Sequence, residues 1–245
     1  MKSRHGLEFG LALLLALAGC AAEASPSRPS EPSATPTIQD MQDIVELQGL
    51  TPIEPGTYFI DPDLDPSTPL RVVYEVPEGW SSWIGAAKFY EEGHVGVSIT
   101  TVTNLVRQGC RDHSWADPPV GSSVDDLATA LADLAPFRVT SPPKNVTIYG
   151  FRGKHLELTV PDLPVDHGEF TGCTGGNLKS WVAAIDTEPG DAFYGYNAEP
   201  GRTEEFWILD VDGTRLMIEA NWSPASPRED VAEMRTILDS IQIEP

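Results

Sequence analysis

The chain runs to 245 residues and carries 37 acidic against 16 basic side chains, a formal net charge of −21. A chain this acidic lacks the basic footprint that nucleic-acid binding requires and is repelled by an anionic lipid surface, so nucleic acid is excluded as a partner. Its length suits one domain plus a linker, enough to bury a sizeable core.

Lys2, Arg4 and His5 precede an apolar run from Phe9 to Ala18, the charged and short hydrophobic regions of a secretory signal. The run is about half the roughly 20 residues of a spanning helix and closes on Leu17-Ala18-Gly19-Cys20. That tetrapeptide resembles the lipobox of bacterial lipoproteins at every position. The resemblance implies a signal peptide over 1–19, cleavage before Cys20, a diacylglycerol on Cys20, and a protein anchored at the extracytoplasmic face of the cell membrane. The alternative is an ordinary secreted protein whose signal ends in a cysteine. At about 0.8 kcal/mol per buried methylene, two or more acyl chains hold a protein on a bilayer stably. Loss of Lys2, Arg4 and Glu8 with the signal, two cations and one anion, takes the charge to −22.

From Ala21 to Thr37 the chain holds only Ala, Ser, Pro, Thr, Glu and Arg, with prolines at 26, 29, 32 and 36. Such a segment cannot build a core. Residues 20–37 therefore read as a lipidated cysteine plus a semi-extended tether, able to hold a domain on the order of 50 Å from the bilayer at about 3.1 Å per residue. Thr37-x-x-Asp40 resembles a capping box, and Met41, Ile44, Val45 and Gln48 follow at helical spacing before Gly49, which predicts a short amphipathic helix over 38–50. Residues 51–245 then read as a single globular domain. Its opening stretch, 51–69, is rich in proline and reads as turns. Asp61, Asp63 and Asp65 alternate like the first ligands of a calcium loop, but position 6 is Pro66 instead of glycine and position 12 is Val72 instead of an acid, so a plain turn is favoured.

Strand patterns follow. Leu70, Val72, Tyr74 and Val76 alternate with polar residues, a turn at Pro77-Glu78-Gly79 leads to strands over 81–91 and 94–105, and Val95, Val97 and Ile99 share one face. Ser123-x-x-Asp126 caps a helix with Val124, Leu127, Leu131 and Leu134 on one side, ending before Pro136. Residues 146–149 and 153–160 read as a hairpin, with Leu156, Leu158 and Val160 inward. A strand over 181–186 precedes two more, 204–211 and 214–222, joined by Asp212-Gly213, a dipeptide suited to a type I′ turn. Leu216, Ile218, Ala220 and Trp222 face the core. Ser226-Pro227-Arg228-Glu229 supplies an N-cap, a proline at N1 and a capping-box acid for a last helix with Val231, Met234, Leu238 and Ile241 inward.

Two helices among many strands joined by short turns predict an α+β fold, an antiparallel β-sheet with two main helices packed on it. The order of meander, helix, further strands, C-terminal helix and a Ser-Ile-x-Ile exit at 240–243 resembles the PsbP-like fold. The Pro-Glu-Gly-Trp turn at 77–80 is similar to one in lipoproteins of high-GC Gram-positive bacteria. The resemblance spans roughly 55–245, rests on element order, and brings no catalytic residues with it.

Cys110 and Cys173 form an even pair in an exported domain, for which a disulfide is the default. The competing reading adds His113 and His167 to make a zinc site, but the spacing from His167 to Cys173 is unusual for zinc. A hydrolase is the natural enzyme hypothesis, yet Gly96-Val97-Ser98-Ile99-Thr100 lacks the second glycine of a nucleophile elbow and Ser98 sits mid-strand. His94, His113, His155 and His167 with so many acids would supply a triad by combination alone. Asp125-Asp126, Glu204-Glu205 and Glu91-Glu92 are adjacent pairs that do not share a face. Residues 172–177 are glycine-rich but lack the lysine and preceding strand of a phosphate loop. No cofactor motif is present, and the sequons at Asn145 and Asn221 are given no weight in a bacterial lipoprotein.

The aromatic residues remain. Trp80, Trp83, Trp115, Trp181, Trp207 and Trp222, with Phe193-Tyr194-Gly195-Tyr196, are core packing or the lining of a groove for a sugar or an apolar ligand. Trp207, Tyr194 and Tyr196 are the candidate ligand-binding residues, Trp207 because the inward set of its strand is ambiguous. The sequence thus points to a non-catalytic domain on a lipidated tether that binds a small ligand or an envelope protein. A secreted hydrolase and a structural or assembly factor are the alternatives. A concave pocket with convergent His and carboxylate groups would favour the enzyme. A large apolar surface patch would favour the assembly factor.

Overall fold

The computed structural model describes residues 38–40, 51–63, 65, 67–91, 93–183, 194–197 and 199–245, all within one unit, Pro36–Pro245. The signal (1–19), Cys20 and the tether (20–37) lie outside the described residues. The domain opens with β1 (Ile38–Asp40), β2 (Gly56–Ile60), β3 (Arg71–Val76), β4 (Ser81–Trp83), β5 (Gly85–Phe89), β6 (His94–Gln108) and β7 (Asp112–Trp115). Helix α1 (Val124–Ala132) leads to β8 (Arg138–Ile148), β9 (Phe151–Thr159), β10 (Val165–Asp166) and β11 (Glu169–Phe170). After a 3₁₀ turn at Thr174–Gly176 come β12 (Leu178–Ala183), β13 (Tyr194–Asn197), β14 (Thr203–Val211), β15 (Thr214–Trp222), α2 (Arg228–Ser240) and β16 (Gln242–Glu244).

The main sheet runs β13-β12-β6-β15-β14-β9-β8, with β5 and β7 also on β6 and β4 on β5. A second sheet, β1-β2-β3-β16, is antiparallel except for the parallel β1–β2 pair. The expected α+β class holds: among the described residues, mostly antiparallel sheet with two helices. Several elements correct the sequence reading. The helix expected over 38–50 is strand at its first three residues, because Ile38–Asp40 pairs with Thr57–Phe59; residues 41–50 lie outside the described set. The proline-rich stretch read as turns holds β2, whose backbone is taken up by β3. The single strand expected over 81–91 is a tight hairpin, turned at Gly85 with φ +142°, a conformation that a side chain disfavours. Strand β8 starts at Arg138, well before the expected 146, and carries Pro142 and Pro143 within irregular register at the sheet edge, where proline's missing N–H is tolerated.

The helices form as their caps dictate. Ser123 and Asp126 make both hydrogen bonds of a capping box, and Leu127, Ala128 and Leu131 are buried. Helix α2 begins one residue later than expected, with Pro227 at the N-cap, because the Ser226 hydroxyl donates instead to the His94 carbonyl at 2.7 Å. Strand register places the two helices on opposite faces of the main sheet. Lys154, opposite Ile208, is ion-paired to Asp125 of α1, whereas Glu205, one position out of phase with Ile208, pairs with Arg235 of α2. Lys88 fastens the start of α2 to β5, reaching Asp230 at 2.7 Å and Glu233 at 2.6 Å.

The central strands are therefore covered on both sides. Val95, Val97, Ile99, Ile218 and Ala220 are buried on one face, Phe206, Ile208, Leu156 and Leu158 on the other. This double cover is why the inward set of the Trp207 strand is unreadable from alternation: all residues from Glu204 to Leu209 are buried.

Candidate ligand pocket

On the face that carries α1, the register aligns a patch of small and polar side chains. Glu219 and Asn221 of β15 lie opposite Ser98 and Gly96 of β6, and Gly96 and His94 lie opposite Ala87 and Phe89 of β5. Gly96, Ser98 and Ala87 are too small to fill the space above the sheet, and a cavity of about 240 Å³ results. Its walls are the rings of Trp83, Trp181 and Phe89 together with Ile84, and its floor and rim are His94, Asn221, Glu219, Glu199 and Arg202. Gly195 of β13 closes one side; there a Cβ would collide with Ser180 and Trp181.

The polar groups form one chain of contacts. Trp181 Nε1–H donates to Glu219 Oε2 at 2.8 Å, and Asn221 Nδ2–H donates to Glu219 Oε1 at 3.1 Å. Asn221 Oδ1 lies 2.8 Å from His94 Nε2, and His94 Nδ1 lies 3.2 Å from Glu199 Oε1. Ser223 donates to Glu199 Oε2, and the Arg202 guanidinium stands 3.8 Å from Glu219 Oε1. Phe89, half exposed, stacks on the His94 ring with centroids 5.4 Å apart.

The two carboxyls differ in environment. Burial pushes the Glu219 carboxyl above the ordinary value, and the Arg202 charge with the Trp181 and Asn221 hydrogen bonds opposes this without cancelling it. Burial also pushes Glu199 upward, but its hydrogen bonds with His94 and Ser223 outweigh that and hold it below the ordinary value. Both nitrogens of His94 face other side chains, a carboxylate and an amide; among the described residues no hydroxyl or thiol is bonded to the ring.

The residues singled out in the sequence fall in different places. Trp207 is buried on the opposite face, its ring 5.2 Å from that of His155, and the cavity is lined without it. Tyr194 and Tyr196 lie on β13 beside the cavity's Gly195, and their side chains fall outside the described residues. Cys110 and Cys173 form the disulfide. The zinc reading therefore fails: both sulfurs are consumed, His113 faces the Gly109 carbonyl at 2.9 Å, and the His167 side chain is 96% exposed. The aspartates of the calcium-like stretch serve the chain itself, Asp61 pairing with Arg71 and Asp65 receiving the Ser67 N–H. Among the described residues, the large exposed apolar side chains, Ile38, Phe89, Val139 and Val165, sit on four separate strands. No helix among the described residues is long and apolar enough to cross a membrane.

Sequence reasoning missed Glu219, Asn221, Glu199 and Arg202. A signal was available: His94, Gly96 and Ser98 are out of phase with Val95, Val97 and Ile99, and the same holds for Glu219 and Asn221 beside Ile218 and Ala220. That polar set reads as a solvent face until the structure shows it buried.

No protein-family model matches the chain, and no curated protein matches it. Among solved structures it is similar to the crystal structure of LpqN, involved in cell envelope biogenesis of Mycobacterium tuberculosis, at 12% identity and a TM-score of 0.37, covering 83% of this chain and 95% of that one. At that level nothing of LpqN is carried over.

Proposed function

We propose that the protein is a binding module of the cell envelope, held outside the membrane by lipid on Cys20, whose PsbP-like domain takes a small ligand in the aromatic-walled cavity. The anchor rests on the lipobox-like tetrapeptide, and the PsbP-like reading on the order of meander, helix, strands, helix and exit strand. One observation carries the binding function: a concave site with three aromatic walls and a polar floor, in which the imidazole is engaged at both nitrogens and so leaves no base poised toward a nucleophile. Sugar-like and apolar ligands both suit such walls.

A second reading is favoured by Glu219, whose raised carboxyl would suit a general acid. One experiment separates the two. The lipidated protein is purified from its own membrane and bound molecules are analysed by mass spectrometry, with Trp83→Ala as comparison. The binding reading expects a retained small molecule that is lost in Trp83→Ala. Nothing retained, together with turnover of model esters or glycosides, overturns it in favour of the enzyme.

A further inference from the structure

Resting on that small-ligand reading, the charges around the cavity narrow the chemistry of the ligand. Glu219 is 2% exposed, and its Arg202 partner stands at 3.8 Å, an ion pair beyond hydrogen-bonding distance. The same fold closes the less buried Lys88–Asp230 pair to 2.7 Å. The hydrogen bonds to Glu219 come from Trp181 and Asn221, both neutral groups. Glu199 and Glu219 thus share the cavity's lining with one guanidinium and the His94 imidazole.

Burying a carboxylate with incomplete compensation is costly, and such charge persists where a cation completes it. That cation is not placed to be a metal: among the described residues no group of three or more His, Cys, Asp or Glu side chains could hold one. The walls indicate the alternative. Trp83, Trp181 and Phe89 present aromatic rings around the same space, and the negative face of an aromatic ring attracts an organic cation.

We propose that the cavity binds a small organic cation, an ammonium headgroup seated against Glu219 and Glu199 and enclosed by the rings of Trp83, Trp181 and Phe89. The volume suits such a group: about 240 Å³ is more than the ~150 Å³ of an engineered cavity that takes up benzene, enough for one headgroup with a short substituent.

The test is isothermal titration calorimetry of the full-length protein in detergent with four probes: choline chloride, its uncharged isostere 3,3-dimethylbutan-1-ol, glucose and calcium chloride. Choline is expected to bind about tenfold or more tighter than the isostere. Glu219→Gln is expected to weaken choline by a similar factor, with the thermal transition checking that the variant folds; Glu199→Gln replaces it if it does not. Equal binding of choline and the isostere overturns the proposal, as does unchanged choline affinity in the folded glutamine variant. If glucose or the isostere binds, choline does not, and Trp83→Ala abolishes that binding, the pocket stands and the cation class falls. If no probe binds, the molecule retained by the membrane-purified protein decides: one bearing an amine or quaternary ammonium sustains the class, one lacking it overturns the class alone, and nothing retained overturns the pocket reading as well.

Discussion

Removing the disulfide should cost the domain a large share of its stability. Cys110 and Cys173 are 63 positions apart, and closing a loop of that size lowers the entropy of the unfolded chain enough to contribute about 4 kcal/mol. Domains of this kind have total stabilities of roughly 5–15 kcal/mol. The native geometry around the bond does not depend on it alone. Thr174 N–H donates to the Cys110 carbonyl at 2.7 Å and Lys179 N–H to the Gly109 carbonyl at 2.9 Å, so the folded state should persist after substitution and the effect should fall on the unfolded chain. In equilibrium urea denaturation, the Cys110→Ala/Cys173→Ala variant is expected to lose about 4 kcal/mol, which at a slope near 2 kcal/mol/M lowers the midpoint by about 2 M. A loss below about 1 kcal/mol, with an unchanged slope, would refute the loop-entropy reasoning. Thiol counting supplies an independent check, because two reactive thiols appearing only after chelation would mean a metal-held pair.

Four further outcomes are expected. Leu131→Ala, at a fully buried position where α1 meets the sheet, should destabilise by about 2–5 kcal/mol in the same urea assay. Gly153→Ala should lower the melting temperature sharply by circular dichroism, since a Cβ there runs into the Ile208 carbonyl of the neighbouring strand. Lys88→Met should cost about 1–3 kcal/mol by leaving Asp230, Glu233 and the β5–α2 contact without their shared cation, the partly exposed Glu233 contributing least. Burial pushes the Asp230 carboxyl up, but hydrogen bonds from Lys88 and Tyr90 outweigh it; the Glu233 carboxyl is lowered chiefly by its hydrogen bond from Lys88. The stability these two contribute is complete above the ordinary carboxyl range and lost as pH falls through their lowered values, and an acid titration of the parent and Lys88→Met should show that loss reduced in the variant. Choline binding should show the opposite placement: because burial raises the Glu219 carboxyl, affinity should weaken on acidification before ordinary carboxyls titrate, and calorimetry across pH checks it.

The fold was legible wherever one local rule decided it. Ser123 and Asp126 are three residues apart and cap α1 as their spacing requires. Asp212 and Gly213 adopt φ of +49° and +90°, as a hairpin of the primed type demands. The parity of Val95, Val97 and Ile99 identified a buried strand face correctly. Legibility ended where the partner was remote. Ile38–Asp40 falls in a capping-box pattern that leads a helix-like spacing but is held as strand by the edge of β2, and Trp207 offered no phase because its strand is covered on both sides.

The cavity belongs wholly to the second kind. His94 and Asn221 are 127 positions apart, His94 and Glu199 are 105 apart, and Trp181 and Glu219 are 38 apart. By itself the sequence determined the acidic balance, the cysteine pairing, the α+β class and a buried face of strands such as β6 and β9, because each depends on composition or short-range periodicity. Only the tertiary structure decided that the polar phase of β6 and β15 is buried instead of solvated, since that depends on which strands become neighbours and on the hollow left when Gly96, Ser98 and Ala87 come together beneath three aromatic rings.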